Sequence, residues 1–280
     1  MSSMVWANGR LVSADDALVP YDDHGITVGD GVFETVKLSD GVPFAITRHL
    51  HRLARSAEAM AITMPPPEVL TEVVEAVCGA ATTDEGFLRI TLTAGPGPLG
   101  SNRGDLRPNL IVAIRPGTVR LDPTDVLLVD WRRNERGALA GIKSTSYGEN
   151  VMALVAADRA GATEALFANT VDELCEGTGS NVFVGFGDRL LTPPLASGCL
   201  AGVTRELLLE AGIGEESTIP LGDLAGATEM FLTSTGREVQ PVRAVIDTTG
   251  TVTELPWCSG PLTVAARRAW VETIAPRSDP

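Results

Sequence analysis

Lysine is the scarcest basic residue of this chain, because only Lys37 and Lys143 are lysines among its 22 lysines and arginines. A chain that uses arginine elsewhere has little use for lysine as a general surface charge. Lys143 also lies among small and apolar residues, 137–146, where poor hydration favours an uncharged amine. Such an amine can attack a carbonyl group and form a Schiff base. The alternative is a structural lysine whose stem packs on Leu139 and Ile142, and the local sequence fits both interpretations.

The chain also lacks the residue patterns that bind metals or nucleotides. Its four cysteines show no CxxC spacing, and its three histidines all precede residue 52, which argues against a zinc-type cluster. No GxGxxG leads into a predicted helix, and neither lysine follows a GxxxxG. We therefore predict no metal site, no Rossmann-type dinucleotide loop and no Walker-type phosphate loop.

Long apolar runs are missing as well. No run approaches the roughly 18 residues of a membrane-spanning helix, and the first ten residues do not resemble a secretion signal. The net charge of −14 disfavours nucleic acid or an anionic membrane as the main partner. These features predict a cytoplasmic protein with no nucleic-acid or membrane partner.

Alternating and helical spacings of apolar residues both occur, which predicts a mixed α+β protein with two domains. In the first domain, the spacing predicts a helix over 47–60 with Thr47 as its cap. The segment 116–123 is polar and has proline at both ends, so it is the predicted linker. It would separate a small domain, 1–115, from a larger domain, 124–280, that carries Lys143.

Two further patterns concern the backbone. The segment 174–184 reads as one continuous strand. Gly29 and Gly31 predict a place where another stretch of backbone comes close, and a neighbouring strand would be enough to explain them.

Schiff-base lysines occur in class I aldolases and in pyridoxal phosphate enzymes. The second chemistry also needs an acid at the pyridine nitrogen, an anion site for the phosphate and a wall against the ring. Glu176 is the candidate acid, because it lies in CEGTGSNVF among small residues that leave room for a flat ligand. An exposed strand glutamate would have the same local sequence.

Candidates for the phosphate site follow in the sequence. Val203 and Thr204 open a predicted helix, whose free N–H groups and positive end attract anions, although Thr204 is also an ordinary helix cap. Ser234 and Thr235 end a predicted strand and would add hydroxyl groups. Arg52 would bind a phosphate with two hydrogen bonds, or it is a solvated charge on its helix.

Taken together, these residues resemble the fold-type IV pyridoxal phosphate enzymes, the class IV aminotransferase family. That family includes D-amino-acid aminotransferase, branched-chain aminotransferase and 4-amino-4-deoxychorismate lyase. The resemblance covers nearly the whole chain, and the blocks that carry it, in the order of the family, are GDGVFETVK, HLHRLARSA, AGIKSTSY, EALFANTVDELCEGTGSNVF, LAGVTRELLLE and EMFLTSTGREVQPV.

The resemblance implies a pyridoxal 5'-phosphate cofactor and a role for each candidate. Lys143 is similar to the Schiff-base lysine, which also moves the α-proton, and Glu176 is similar to the partner of the pyridine nitrogen. The residues that resemble the remaining cofactor ligands are Arg52, Val203, Thr204, Ser234 and Thr235 at the phosphate, Leu200 on the ring face, and Tyr147 near the phenolic oxygen. The spacing from Lys143 to Tyr147 is one residue shorter than in branched-chain enzymes.

The family fold implies a small α/β domain and a larger pseudo-barrel domain, with cofactor and substrate between them, in a homodimer. Within the family, D-amino-acid enzymes carry a tyrosine and an arginine where this chain has Ile26 and Ala94. The compact length and the strand end TLTAG are more similar to aminodeoxychorismate lyases, which form 4-aminobenzoate and pyruvate for folate synthesis. Arg103 or Arg107 would then bind the second carboxylate of the substrate.

Two alternatives to the lyase stay open. One is a transaminase that moves an amino group from a branched-chain or other small amino acid to a 2-oxo acid. The other is a non-catalytic binding protein of the same fold.

Overall fold

The structure is a computed structural model that describes residues 4–105 and 107–280. It divides into two compact units. The first unit holds the chain up to Thr118 together with Ile142–Tyr147 and Asp279, and the second holds Val119–Gly141, Gly148–Ser278 and Pro280.

The first unit is built on a six-stranded sheet with three helices. Its elements are β1 (Met4–Ala7), β2 (Arg10–Ser13), α1 (His24–Thr27), β3 (Gly31–Ser39), β4 (Val42–Pro43), α2 (Ile46–Ala59), α3 (Pro67–Gly79), β5 (Gly86–Thr93) and β6 (Asn109–Pro116). The sheet order is β2-β1-β6-β5-β3-β4, and the paired strands are antiparallel. Asn8 and Gly9, both with positive φ, make the tight turn between β1 and β2.

Helical and strand spacing place the core of this unit between α2, α3 and one face of the sheet. Leu53 and Ala57, four residues apart on α2, are fully buried in it, as are Leu88 and Ile90, two residues apart on β5. Burying one leucine such as Leu53 contributes about 2 kcal/mol to stability. The other face of β5 is free to carry polar side chains.

The second unit holds a nine-stranded sheet and three helices. Its elements are β7 (Thr124–Arg133), α4 (Gly148–Arg159), β8 (Glu164–Asn169), β9 (Leu174–Gly177), β10 (Asn181–Phe186), β11 (Arg189–Thr192), α5 (Val203–Glu210), β12 (Glu215–Glu216), β13 (Glu229–Ser234), β14 (Glu238–Ile246), β15 (Val252–Glu254) and α6 (Pro261–Ala269). The sheet order is β12-β11-β10-β13-β14-β7-β8-β9, with β15 beside β14. A curled sheet within a mixed α+β fold confirms the predicted fold class.

The predicted strand over 174–184 is wrong, because it is interrupted. Strand β9 ends at Gly177, and β10 begins at Asn181. Between them the Gly177 N–H donates to the Ser180 carbonyl at 2.7 Å, which closes a tight turn. Residues 177–180 read Gly-Thr-Gly-Ser, which is typical of a turn, and this local signal outweighs the continuous strand predicted from the residues on either side.

The predicted cap of α2 also differs. The helix begins at Ile46, after Ala45 in the left-handed region (φ 52°), and Thr47 lies inside its first turn. The Thr47 N–H and hydroxyl donate to the Asp279 carboxylate at 3.1 and 2.5 Å. A residue near the end of the chain therefore satisfies the first turn of the helix.

The stretch Ile142–Tyr147, here called the lysine segment, belongs to the first unit, whereas the sequence placed Lys143 in the second domain. Its backbone pairs with the start of β3: the Phe33 N–H donates to the Lys143 carbonyl at 3.0 Å, and the Thr145 N–H donates to the Gly31 carbonyl at 2.7 Å. The lysine segment thus extends the hydrogen bonding of β3.

Two glycines at the start of β3 allow this pairing: Gly29 precedes the strand, and Gly31 is its first residue. A Cβ on Gly29, which has φ +70°, would lie 2.7 Å from the Ser146 hydroxyl oxygen. A Cβ on Gly31 would lie 3.0 Å from the Thr145 hydroxyl oxygen. The lysine segment therefore comes close to both glycines, and at Gly31 the β5 backbone is equally close, with the Leu92 carbonyl oxygen 3.0 Å from the same Cβ position.

Candidate active site

Lys143 is half-buried, and its amine lies against an aromatic ring. Its Nζ is 4.4 Å from the centre of the Phe33 ring. Its backbone N–H donates to the Ser56 hydroxyl at 3.4 Å, and the Tyr147 ring meets Phe33 edge-on at 5.1 Å between centroids. Strand β3, helix α2 and the lysine segment therefore fix where the amine emerges.

Arg89 of β5 is a neighbour that sequence reasoning missed. Its guanidinium carbon lies 3.3 Å from the centre of the same Phe33 ring, and it donates to the Thr35 and Thr91 hydroxyls at 3.2 and 3.4 Å. Burial of the guanidinium lowers the pKa of Arg89 to about 10, so it stays charged at neutral pH. The sequence feature that could have identified Arg89 is the presence of an arginine within a strand, on the face that points away from the core.

A buried cluster of charges joins β3 to α2 in the same unit. The Glu34 carboxylate, fully buried, accepts two hydrogen bonds from Arg52 at 2.7 and 2.6 Å and one contact from His49 Nδ1 at 2.7 Å. Burial alone would raise the pKa of Glu34, but Arg52 and His49 lower it to about 2. Burial lowers the pKa of His49, against the opposing effect of Glu34. The cluster holds the predicted phosphate ligand Arg52 in one fixed orientation.

In the second unit, the structure brings together two predicted residues, Glu176 and Leu200. One carboxylate oxygen of Glu176 accepts the Leu200 N–H at 2.9 Å, and the other lies 3.6 Å from Arg133 Nε. Arg133 itself stacks over the Phe167 ring at 4.3 Å and donates to the Asn150 side chain at 3.3 Å. The carboxylate is therefore held by a backbone N–H on one side and a fixed guanidinium on the other.

The start of α5 is tied to the same place. The Asn181 amide donates to the Leu200 carbonyl at 2.8 Å, and a Cβ on Gly202 would lie only 1.9 Å from the Asn181 side-chain oxygen. Gly202 is the N-cap, and no side chain caps the helix. The first residues of the helix, Val203 and Thr204, are buried.

The other predicted phosphate residues, Ser234 and Thr235, lie next to Asn181 because of strand pairing. Asn181 pairs with Thr233 across β10 and β13, so Ser234 and Thr235 come next along the chain. The Thr233 hydroxyl is buried and has no hydrogen-bond partner within residues 4–105 and 107–280. Glu176, Leu200, the start of α5 and the end of β13 are thus linked by a continuous chain of contacts.

Glu164 is a second residue that sequence reasoning missed, and it supports the turn after Glu176. It is 1% exposed, and its carboxylate accepts the Thr178 N–H at 3.0 Å and the Ser180 hydroxyl at 2.9 Å. Arg237 lies 3.3 Å away and balances its charge. Nothing in the local sequence distinguishes this glutamate from one on a surface strand.

The two arginines predicted to bind substrate differ in their surroundings. Arg103 donates to both oxygens of Asp30, at 2.7 and 2.6 Å, and to the Ala61 carbonyl at 3.3 Å. Arg107 is exposed. The guanidinium of Arg103 is therefore engaged within the protein.

Within residues 4–105 and 107–280, no group of three or more His, Cys, Asp or Glu side chains is placed to hold a metal ion. No helix of that same part has both the length and the apolar character that crossing a membrane requires.

Comparison with known proteins identifies the family. The sequence profile described as "Amino-transferase class IV" matches residues 31–245. A putative branched-chain-amino-acid aminotransferase of Methanocaldococcus jannaschii is 33% identical over 85% of this chain and 86% of its own. The aminodeoxychorismate lyase of Bacillus subtilis is 29% identical, over 85% of each.

Solved structures agree with the sequence comparison. The crystal structure of branched-chain aminotransferase from the thermophilic archaeon Thermoproteus uzoniensis, determined with norvaline, superimposes with a TM-score of 0.86 at 27% identity. It covers 99% of this chain and 98% of that one. The chain is therefore an enzyme that belongs to the class IV aminotransferase family.

Proposed function

We propose that this enzyme is a pyridoxal phosphate-dependent aminotransferase that moves an amino group from a branched-chain or other small amino acid to a 2-oxo acid. The observation that carries the proposal is that the Lys143 Nζ and the Arg89 guanidinium carbon both lie within 5 Å of the centre of the Phe33 ring. The Phe33 ring thus contacts both a nucleophilic amine and a cation that matches the carboxylate of an amino acid or 2-oxo acid. The branched-chain aminotransferase relatives support the same choice.

The donor set of the protein fits pyridoxal phosphate. The amine of Lys143 would attach the cofactor, and the carboxylate of Glu176, held between the Leu200 N–H and Arg133, would bind the pyridine nitrogen. The buried, unpartnered hydroxyl of Thr233 lies at the strand end that carries the proposed phosphate ligands. We assign the phosphate to Arg52, Val203, Thr204, Ser234 and Thr235.

When bound, the cofactor withdraws electrons from the α-carbon of the substrate, which makes its proton removable. The Lys143 amine would then take that proton from the α-carbon and deliver it to the cofactor rather than back to the same carbon, because an amine held next to the reacting carbon is a suitable general base. Arg89 would hold the substrate carboxylate. Leu200 would pack on the cofactor ring, and Tyr147, in contact with Phe33, would lie near its phenolic oxygen.

A lyase that releases 4-aminobenzoate and pyruvate is the second candidate, because the Bacillus subtilis relative has that name and Arg107 is exposed on the loop after β5. Its substrate has two carboxylates, and one of the two arginines predicted to bind the second carboxylate, Arg103, already pairs with Asp30. The transaminase requires only one carboxylate ligand. We prefer the transaminase, which the branched-chain aminotransferase relatives also support.

One experiment separates the two activities. The purified enzyme is incubated with aminodeoxychorismate alone, and separately with valine, leucine or alanine and 2-oxoglutarate. The transaminase predicts glutamate formation that requires both substrates, and no 4-aminobenzoate. Release of 4-aminobenzoate and pyruvate without any 2-oxo acid would establish the lyase instead.

We also propose that the enzyme is a homodimer that uses the outer face of α4. Val151 and Met152 at the start of this helix are both 56% exposed, and Leu154 and Val155 add further apolar surface. Replacing Met152 with Asp is expected to convert the dimer to a monomer in sedimentation velocity. Val252→Asp, at a valine that is 54% exposed on β15, is the matched control and should leave the dimer intact. A monomeric wild-type protein would overturn this proposal.

A further inference from the structure

The loop between β5 and β6 is tied to the start of β3 by a bidentate ion pair. We call residues 95–105 the glycine-rich loop. Its Arg103 donates to both carboxylate oxygens of Asp30, at 2.7 and 2.6 Å. The Asp30 side chain is 11% exposed and the Arg103 side chain 29%, so the pair is partly shielded from water. Shielded bidentate pairs are stronger and more rigid than exposed single contacts.

A histidine provides a second attachment for the same loop. His24 is 1% exposed, and its Nε2 lies 2.7 Å from the Pro98 carbonyl oxygen, so Nε2 carries the hydrogen that it donates. Its Nδ1 lies 3.5 Å from the Asp30 carboxylate. The Asp30 N–H in turn donates to the His24 carbonyl at 3.0 Å. Asp30 is thus the common partner of both loop attachments.

In the sequence, Asp30 lies between Gly29 and Gly31, whose carbonyl groups bind the lysine segment. The Gly29 carbonyl accepts the hydroxyls of Thr145 and Ser146 at 2.9 and 3.0 Å, and the Gly31 carbonyl accepts the Thr145 N–H at 2.7 Å. The backbone on either side of Asp30 therefore binds the lysine segment, while its side chain binds the loop.

We propose that Arg103 is a positioning residue, and that its ion pair with Asp30 latches the glycine-rich loop and thereby sets the position of Lys143. Arg103 acts on the reaction through Asp30 and the lysine segment, and it does not bind a substrate carboxylate. The consequence for the reaction rests on the proposed function, whereas the latch itself is a property of the protein with or without a substrate.

The latch is tested by trypsin, which cleaves after an arginine only when that side chain is free to enter the protease. The readout is the rate of cleavage of the Arg103–Gly104 bond in the full-length protein, followed by mass spectrometry. Asp30→Asn keeps the shape of the side chain and removes its charge, and it is expected to speed this cleavage about tenfold or more, the loss of one charge-assisted contact. Asp16→Asn makes the same chemical change at an exposed position outside the loop and should leave the rate unchanged. Equal rates in wild type and Asp30→Asn would overturn the latch.

The positioning role is tested by steady-state kinetics of Arg103→Ala, Asp30→Asn and the double variant. If the pair acts as a unit, each single variant lowers kcat about tenfold with KM within about threefold, and the double variant is no worse than either. If Arg103 binds substrate, Arg103→Ala raises KM and Asp30→Asn does not reproduce that effect. Arg55→Ala, which removes an exposed arginine from α2, controls for net charge.

The two measurements distinguish the failure of the latch from the failure of the proposed function. Enhanced cleavage in Asp30→Asn together with lyase activity would keep the latch and replace the transaminase. Normal transaminase activity in both single variants would overturn the positioning role of Arg103.

Discussion

Replacing Glu34 with Gln removes the charge at the centre of the buried cluster on β3 and α2. The change keeps the size of the side chain but leaves the Arg52 guanidinium, only 6% exposed, without its counter-charge. The folded protein holds the pKa of Glu34 at about 2, against an ordinary value of 4.5. That difference corresponds to roughly 3 kcal/mol of stability at neutral pH, of the same order as the 3–5 kcal/mol typical of breaking a buried ion pair.

The assay is urea denaturation at pH 7, monitored by circular dichroism. Glu34→Gln is expected to lower the free energy of unfolding by about 3 kcal/mol. Glu58→Gln, an exposed glutamate on the same helix, is the matched control and should change it by less than about 0.5 kcal/mol. A loss below about 1 kcal/mol for Glu34→Gln would show that the buried cluster contributes little more to stability than a surface ion pair, contrary to this prediction.

Three further predictions follow from other contacts. Because the pKa of His49 is lowered in the folded protein, the unfolded chain binds more protons below pH 6.5, and the free energy of unfolding should fall as the pH drops below that value. Glu34 should cause a further fall between pH 4.5 and about 2. In urea titrations at a series of pH values, His49→Gln should remove the fall caused by His49 and keep the fall caused by Glu34. Gly202→Ala would push a methyl group against the Asn181 side chain at the start of α5, so pyridoxal phosphate should bind about tenfold more weakly in a fluorescence titration, whereas Gly226→Ala, with only an ordinary contact at 3.9 Å, should bind it normally. Gly29→Ala combines a positive φ with a Cβ 2.7 Å from the Ser146 hydroxyl oxygen, and a thermal midpoint at least about 2 °C below wild type is expected from a loss of about 1 kcal/mol or more.

The sequence predicted those parts of the fold that depend on neighbours along the chain. Alternation over 32–38 gave strand β3, and the Asn8-Gly9 pair gave the first hairpin turn. The family and the fold class followed from six blocks of sequence, and the comparisons confirm both. The roles of Lys143, Glu176 and the phosphate residues stay predictions that the proposed experiments test.

The parts that the sequence could not predict depend on partners far along the chain. The first turn of α2 is satisfied by a carboxylate 232 residues away, which no local capping pattern reveals. The sequence identified Arg103 as a basic residue on a loop rich in glycine and proline. It could not predict that Arg103 pairs with Asp30, 73 residues earlier, because that pairing depends on the path of the loop. The position of Arg89 could not be predicted without the register between β3 and β5, because that register places it opposite Thr35 and beside Phe33.

The attachment of pyridoxal phosphate to Lys143 is tested most directly by borohydride reduction of the purified enzyme followed by tryptic peptide mapping. Because the chain has only two lysines, the result is unambiguous. We predict one reduced cofactor, on the peptide 137–159 that contains Lys143, and loss of both the label and the visible absorbance in Lys143→Ala. A cofactor label on Lys37, or an unlabelled Lys143 in an active enzyme, would contradict it.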